Sequence, residues 1–142
     1  MYPLHEKKIG GLSIFPGNGE IFTTSSLDRT TKIWDLRKIT PKSQVFTAEY
    51  EASKSISSSE FNRQGDIVAT SYDDTLSLFN NVISADFPVG KSVGPITPSE
   101  RIVHNNQTGR YVSVFKARWH ERPENGFEKF IVGNMRRSLI LA

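Results

Sequence analysis

Short apolar runs alternate with turn residues along the chain, and none has the length or the 3.6-residue period of an amphipathic helix. This pattern predicts an all-β protein of short strands. An apolar run from Leu12 to Phe15 ends at Pro16, and Gly17-Asn18-Gly19 supplies a tight turn. Ile21 to Ser25 reads as a second strand and Leu27-Asp28-Arg29 as the next turn. Thr31 to Trp34 then forms a third strand that closes on Trp34-Asp35.

The same plan recurs downstream. Asn62 stands in the place of Pro16, Gln64-Gly65 makes the turn, and Ile67 to Ser71 is the second strand. Asp73-Asp74 turns the chain into a third strand, Leu76 to Phe79. Ser26 to Ser71, Asp28 to Asp73 and Trp34 to Phe79 are each 45 residues apart, and Pro16 to Asn62 is 46. A third unit begins with Val112 to Trp119 and continues through Lys129 to Gly133 and Leu139 to Ala142. Between the second and third units lies a segment rich in Pro, Gly, Ser and Asn, Val82 to Gly109. It is expected to hold the outer strand of the second unit followed by a long excursion.

A period of about 40–45 residues with a terminal Trp-Asp identifies the chain as a member of the WD-repeat β-propeller family. The expected organisation is one blade over residues 1–49 and a second, with a long exit loop, over 50–97. A basic loop and a partial third blade fill 98–142. A closed ring takes about four to eight blades, so the chain is expected to be a piece of a longer, seven-bladed propeller.

Composition narrows the function classes. With 37% hydrophobic residues the chain is not a disordered segment. Without cysteine it has neither a disulfide framework nor thiolate metal sites. No run is long or apolar enough to span a membrane as a helix, and MYPLHEKK lacks the apolar core of a secretory signal. The formal net charge is only +3, but it is unevenly spread. Arg101, Arg110, Lys116 and Arg118, with His104 among them, occupy a stretch that contains no Asp or Glu. Such a stretch can attract phosphate, but four charges are more commonly an ordinary solvated face.

His5, Ser26 and Asp28 invite comparison with a hydrolase triad, but no GxSxG-like elbow accompanies them. Their spacing is that of the WD repeat: His5 is eleven residues before Pro16, and Ser26 and Asp28 are eight and six before Trp34. The resemblance implies that His5, Ser26, Asp28 and Trp34 form a buried hydrogen-bonded chain that fixes strand register. In the second unit Ser71 and Asp73 remain, with Glu51 in the histidine's place and Phe79 in the tryptophan's. His104 and His120 have no companion at metal-ligand spacing. The expectation is therefore a binding scaffold that is not an enzyme, with no cofactor, no metal and no small-molecule substrate.

Two stretches refine the resemblance. Trp34-Asp35-Leu36-Arg37 has the form W-D-x-R, similar to the end of the box by which WD proteins dock the adaptor of cullin-4 ubiquitin ligases. An Arg just beyond the third strand can pair with a partner's carboxylate; the alternative is a solvated Arg after an ordinary WD dipeptide. The second stretch runs from His104 through Arg137, with His104-Asn105-Asn106-Gln107-Thr108-Gly109-Arg110-Tyr111 and Phe115-x-Ala117-x-Trp119 as its most specific parts. It resembles the changed-mutation-rate family of yeast WD-repeat DNA-binding proteins, relatives of the smaller subunit of the damaged-DNA-binding complex. In that subunit a lesion-probing hairpin falls near the position of Thr108 to Tyr111. Here Thr-Gly-Arg-Tyr replaces its Phe-Gln-His, so the resemblance implies general DNA contact rather than lesion insertion.

The residues fit that implication. Gly109 permits a tight turn, Arg110 offers a fork for phosphate or a guanine edge, and Tyr111 offers a face for stacking. Lys116 and Arg118 add backbone charge, while Phe115 and Trp119 share one strand parity and are expected in the core. The expected function is DNA binding, extending to damaged DNA, in the nucleus and alongside chromatin proteins. The alternative is a protein-interaction scaffold or a cullin-4 substrate receptor, which also leaves a cytoplasmic location open.

Overall fold

The computed structural model describes residues 1–83, 94–105, 115–122, 127–133 and 139–141. These form three larger, mainly antiparallel sheets stacked in chain order and one two-stranded hairpin. The first contains β1 (Ile9–Ile14), β2 (Ile21–Ser26) and β3 (Thr30–Asp35). After β3 a one-turn 3-10 helix, Leu36–Lys38, leads into a small hairpin of β4 (Ile39–Thr40) and β5 (Ser43–Gln44). The chain then returns as β6 (Ala48–Glu51), the outer strand of the first sheet. The second sheet starts with β7 (Ile56–Phe61), β8 (Ile67–Ser71) and β9 (Thr75–Phe79).

The long segment then behaves differently from expectation. The excursion comes first and the outer strand of the second sheet afterwards. Gly94–Pro95 (β10) runs parallel to β6, back on the first sheet, and Glu100–Val103 (β11) pairs with β9. Side-chain alternation carries no record of which earlier strand a two-residue segment will join. The third sheet is β12 (Arg118–Trp119), β13 (Phe130–Gly133) and β14 (Leu139–Leu141). β12 thus covers only the end of the expected Val112–Trp119 strand, and residues 112–114 lie outside the described residues.

The core sits between the sheets, as the period-2 pattern requires. Ile33, Ala48 and Tyr50 of the first sheet meet Ile56, Ile67 and Phe79 of the second. Val68 and Leu76, on the opposite face of the second sheet, meet Ala117, Phe130 and Val132 of the third. Hydroxyls tie the first two sheets together: the buried Thr23 and Ser59 hydroxyls lie 3.2 Å apart, and Ser13 Oγ accepts the Phe61 N–H at 3.1 Å. Gly11 makes this approach possible, because a Cβ there would lie 2.6 Å from Ser25 Oγ and 3.1 Å from Ser58 Cα. Apolar side chains also remain exposed on the outward faces: Leu12 and Ile14 on the first sheet, Ile131 and Leu141 on the third.

Candidate functional site

Trp34 is 1% exposed and anchors the first sheet's polar network. Phe22 stacks on its indole, and Phe46 and the His5 ring meet it edge-on. Its Nε1–H donates to Thr24 Oγ1 at 2.7 Å, and His5 Nε2 lies 2.6 Å from the same oxygen. His5 Nδ1 reaches Asp28 Oδ2 at 2.8 Å. The hydroxyl joining indole and imidazole is therefore Thr24's and not, as expected, Ser26's. The register explains the difference: Trp34 pairs with Phe22, so Thr24 is its diagonal neighbour on the same face and Ser26 is one step too far. Ser26 instead accepts the Asp28 N–H at 3.1 Å and donates to the Lys7 and Lys8 carbonyls. Once the Phe22–Trp34 pairing is known, counting by twos along β2 leads to Thr24.

Burial opposes ionisation of Asp28, but hydrogen bonds from Thr30 and His5 outweigh it and hold its pKa down to about 2. Burial lowers the His5 pKa despite the adjacent carboxylate. An enclosed imidazole between two fixed partners ties the segment before β1 to β2 and to the turn after it.

Hydrogen-bond register identifies equivalent positions in the other repeats. Leu27 N–H donates to the Lys8 carbonyl, and Tyr72 N–H donates to the Ser55 carbonyl. Lys8 thus matches Ser55, and His5 matches Ala52. The histidine's place in the second unit belongs to Ala52, not Glu51; Glu51 is exposed and pairs with Arg29 at 2.9 Å. Asp73 is held by the hydroxyls of Ser71, Thr75 and Ser53. These bonds overcome its burial and keep its pKa low. Phe79 has no side-chain N–H to satisfy and packs edge-on against Tyr50 at 5.0 Å, which suits a site without a partner histidine. Ala52 N–H donates to the Arg29 carbonyl and His104 N–H to the Asp74 carbonyl, so His104 occupies the His5 position of the third repeat.

That placement removes His104 from the expected DNA-contacting set. It is 2% exposed, with its ring edge-on to Phe115. Gln107, Thr108, Gly109, Arg110 and Tyr111 lie outside the described residues. Further along, alternation is clear: Ala117 is buried, Phe115 and Trp119 are half-buried, and Lys116 and Arg118 are exposed. Trp119 Nε1–H donates to the Glu60 carbonyl at 2.8 Å, fixing the strand against the second sheet. Lys116 Nζ approaches the Gly10 carbonyl at 3.4 Å, and Arg118 Nε lies 3.3 Å from Glu60 Oε2 while 70% of its side chain is exposed. Arg101 is exposed on β11.

Arg37 is already engaged. Its Nε and Nη2 donate to the two carboxylate oxygens of Asp35 at 2.9 and 2.8 Å, and Glu20 adds a contact at 2.8 Å. The same fork holds the Asp35 carboxyl below its ordinary range. His120 is exposed, and no group of three or more metal-ligating side chains occurs among the described residues. No helix of the described residues is long and apolar enough to cross a membrane.

Comparison with known proteins follows this geometry. The WD domain, G-beta repeat family matches residues 1–35. The DNA damage-binding protein CMR1 of Phaeosphaeria nodorum is 40% identical over 143 residues, covering 96% of this chain and 28% of the relative. The cmr1 protein of Neurospora crassa is 38% identical, covering 96% and 27%. This chain thus spans little more than a quarter of the length of the curated relatives it matches. The crystal structure of Chaetomium thermophilum Raptor superposes on 96% of the chain and 11% of its own, with a TM-score of 0.68 at 15% identity, a likeness of fold alone.

Proposed function

We propose that this chain, a WD-repeat chain related along 96% of its length to fungal CMR1 proteins, is a DNA-binding module of the DNA-damage response. The observation that carries the reading is that kinship, because those relatives are named for binding damaged DNA. Local chemistry supports it: the acid-free stretch presents Arg101, Lys116 and Arg118 to solvent while its aromatic residues hold the strand in place. The module works by binding rather than catalysis, in the nucleus and on chromatin.

The experiment is binding of the chain to labelled duplex DNA across a salt series, beside Arg110→Ala and Lys116→Ala. Phosphate contacts make log affinity fall with log salt by about 0.9 per contact. Salt-steep binding that each substitution weakens is the expected result. Absence of binding by a folded chain, or binding indifferent to salt, overturns the reading. Docking of a cullin-4 ligase adaptor through Arg37 has less support, since a partner carboxylate has to displace Asp35 or Glu20 from the fork.

A further inference from the structure

At the end of the first two sheets where β2 and β8 finish, the chain enters each inner strand through a short exposed segment. Lys7 and Lys8 precede β1, and Lys54 precedes β7. The register that matches Lys8 with Ser55 also matches Lys7 with Lys54, so an exposed lysine recurs at one repeat position. The two segments are neighbours. Lys8 C=O accepts from Leu27 N–H, and Leu27 C=O accepts from Ser55 Oγ at 2.9 Å. Lys116 reaches the same end, with Nζ against the Gly10 carbonyl and the Phe115 carbonyl accepting from Ser57 Oγ at 3.2 Å.

The charges around these lysines are mostly committed. Asp28 is occupied by His5 and Thr30, Asp73 by three hydroxyls, and Glu51 by Arg29. Glu6 and Asp74 share these loops as acids. Among the described residues no ion pair holds Lys7, Lys8, Lys54 or Lys116. Lys7, Lys8 and Lys54, held by no ion pair, face solvent along one end of the stacked sheets, and Lys116 joins them there through its contact with the Gly10 carbonyl.

Resting on the DNA-binding reading above, we propose that Lys7, Lys8 and Lys54 are a phosphate-contacting line for the DNA backbone, continuing through Lys116. The line follows the blade-to-blade direction, so a duplex lies across the sheet edges at the end where β2 and β8 finish. Ammonium groups on flexible stems give such contacts charge without sequence preference.

The test is the salt slope of duplex binding for Lys7→Gln/Lys8→Gln/Lys54→Gln, with Lys38→Gln/Lys42→Gln as a comparison. Lys38 and Lys42 lie at the opposite end, beyond the start of β2, where Leu36 N–H donates to the Glu20 carbonyl. The expected result is a slope reduced by about 0.9 per lysine removed for the first set. The slope stays unchanged for the second set, and it stays unchanged for Lys7→Arg/Lys8→Arg/Lys54→Arg. A wild-type slope in the triple Gln variant, with the chain still binding DNA, overturns this line and leaves the DNA reading standing. Failure of the unsubstituted chain to bind overturns both.

Discussion

Thr24 carries more of the first repeat's order than its size suggests. Its hydroxyl is the common partner of the Trp34 indole and the His5 ring, and it is fully buried. Thr24→Val keeps the shape and leaves both groups without that partner, at a cost of about 1–3 kcal/mol; urea unfolding measures it. Acid acts on the same cluster. His5 is neutral in the fold with its pKa below 6.5, so the unfolded chain takes up its proton first, and stability declines as pH falls below 6.5. Asp28 adds a second loss from about 3.8 down toward its folded value of about 2. Two successive decreases in thermal midpoint on acidification are expected, and His5→Gln should abolish the first. The spacing of His5, Asp28 and Trp34 made their association legible in the sequence. The identity of the bridging hydroxyl was not, because spacing within a repeat does not state which residue lies diagonally across the ladder. Nor did the acid-free stretch reveal that His104 faces inward: charge counting is blind to the side a ring takes.

At the level of elements, alternation read the strands well. β2, β3, β8 and β9 lie where the apolar runs put them, because each has one face against a neighbouring sheet. The outer strands were harder to read. β11 and β10 are short and half-exposed, so little apolar patterning marks them. Close approach of β1 to β7 depends on a missing side chain. In Gly11→Ala the new methyl meets Ser58 backbone and the Ser25 hydroxyl inside ordinary contact distance, so the inner strands must separate. The expected destabilisation is about 1–3 kcal/mol, readable as a lowered denaturant midpoint. Gly10→Ala, where the nearest atom is 3.3 Å away, should cost less.

Across the whole molecule, each sheet contacts its chain neighbours, and repeats so arranged ordinarily open one at a time from an end. β10 alters that expectation for the first two sheets. The chain leaves the second sheet after β9 and lays Gly94–Pro95 on β6, where the Thr47 carbonyl accepts the Gly94 N–H and the Glu49 carbonyl the Ile96 N–H. Ile96 also packs into the core between them. Only then does the chain return to complete the second sheet with β11. The detour works like a buckle on a strap. Peeling the first sheet from the second breaks β10's pairing as well as the interface, so opening there is coupled to loss of an extra crossing. In the language of coupled spins, the first two repeats flip together as one domain, and the boundary where melting can pause moves to the junction with the third.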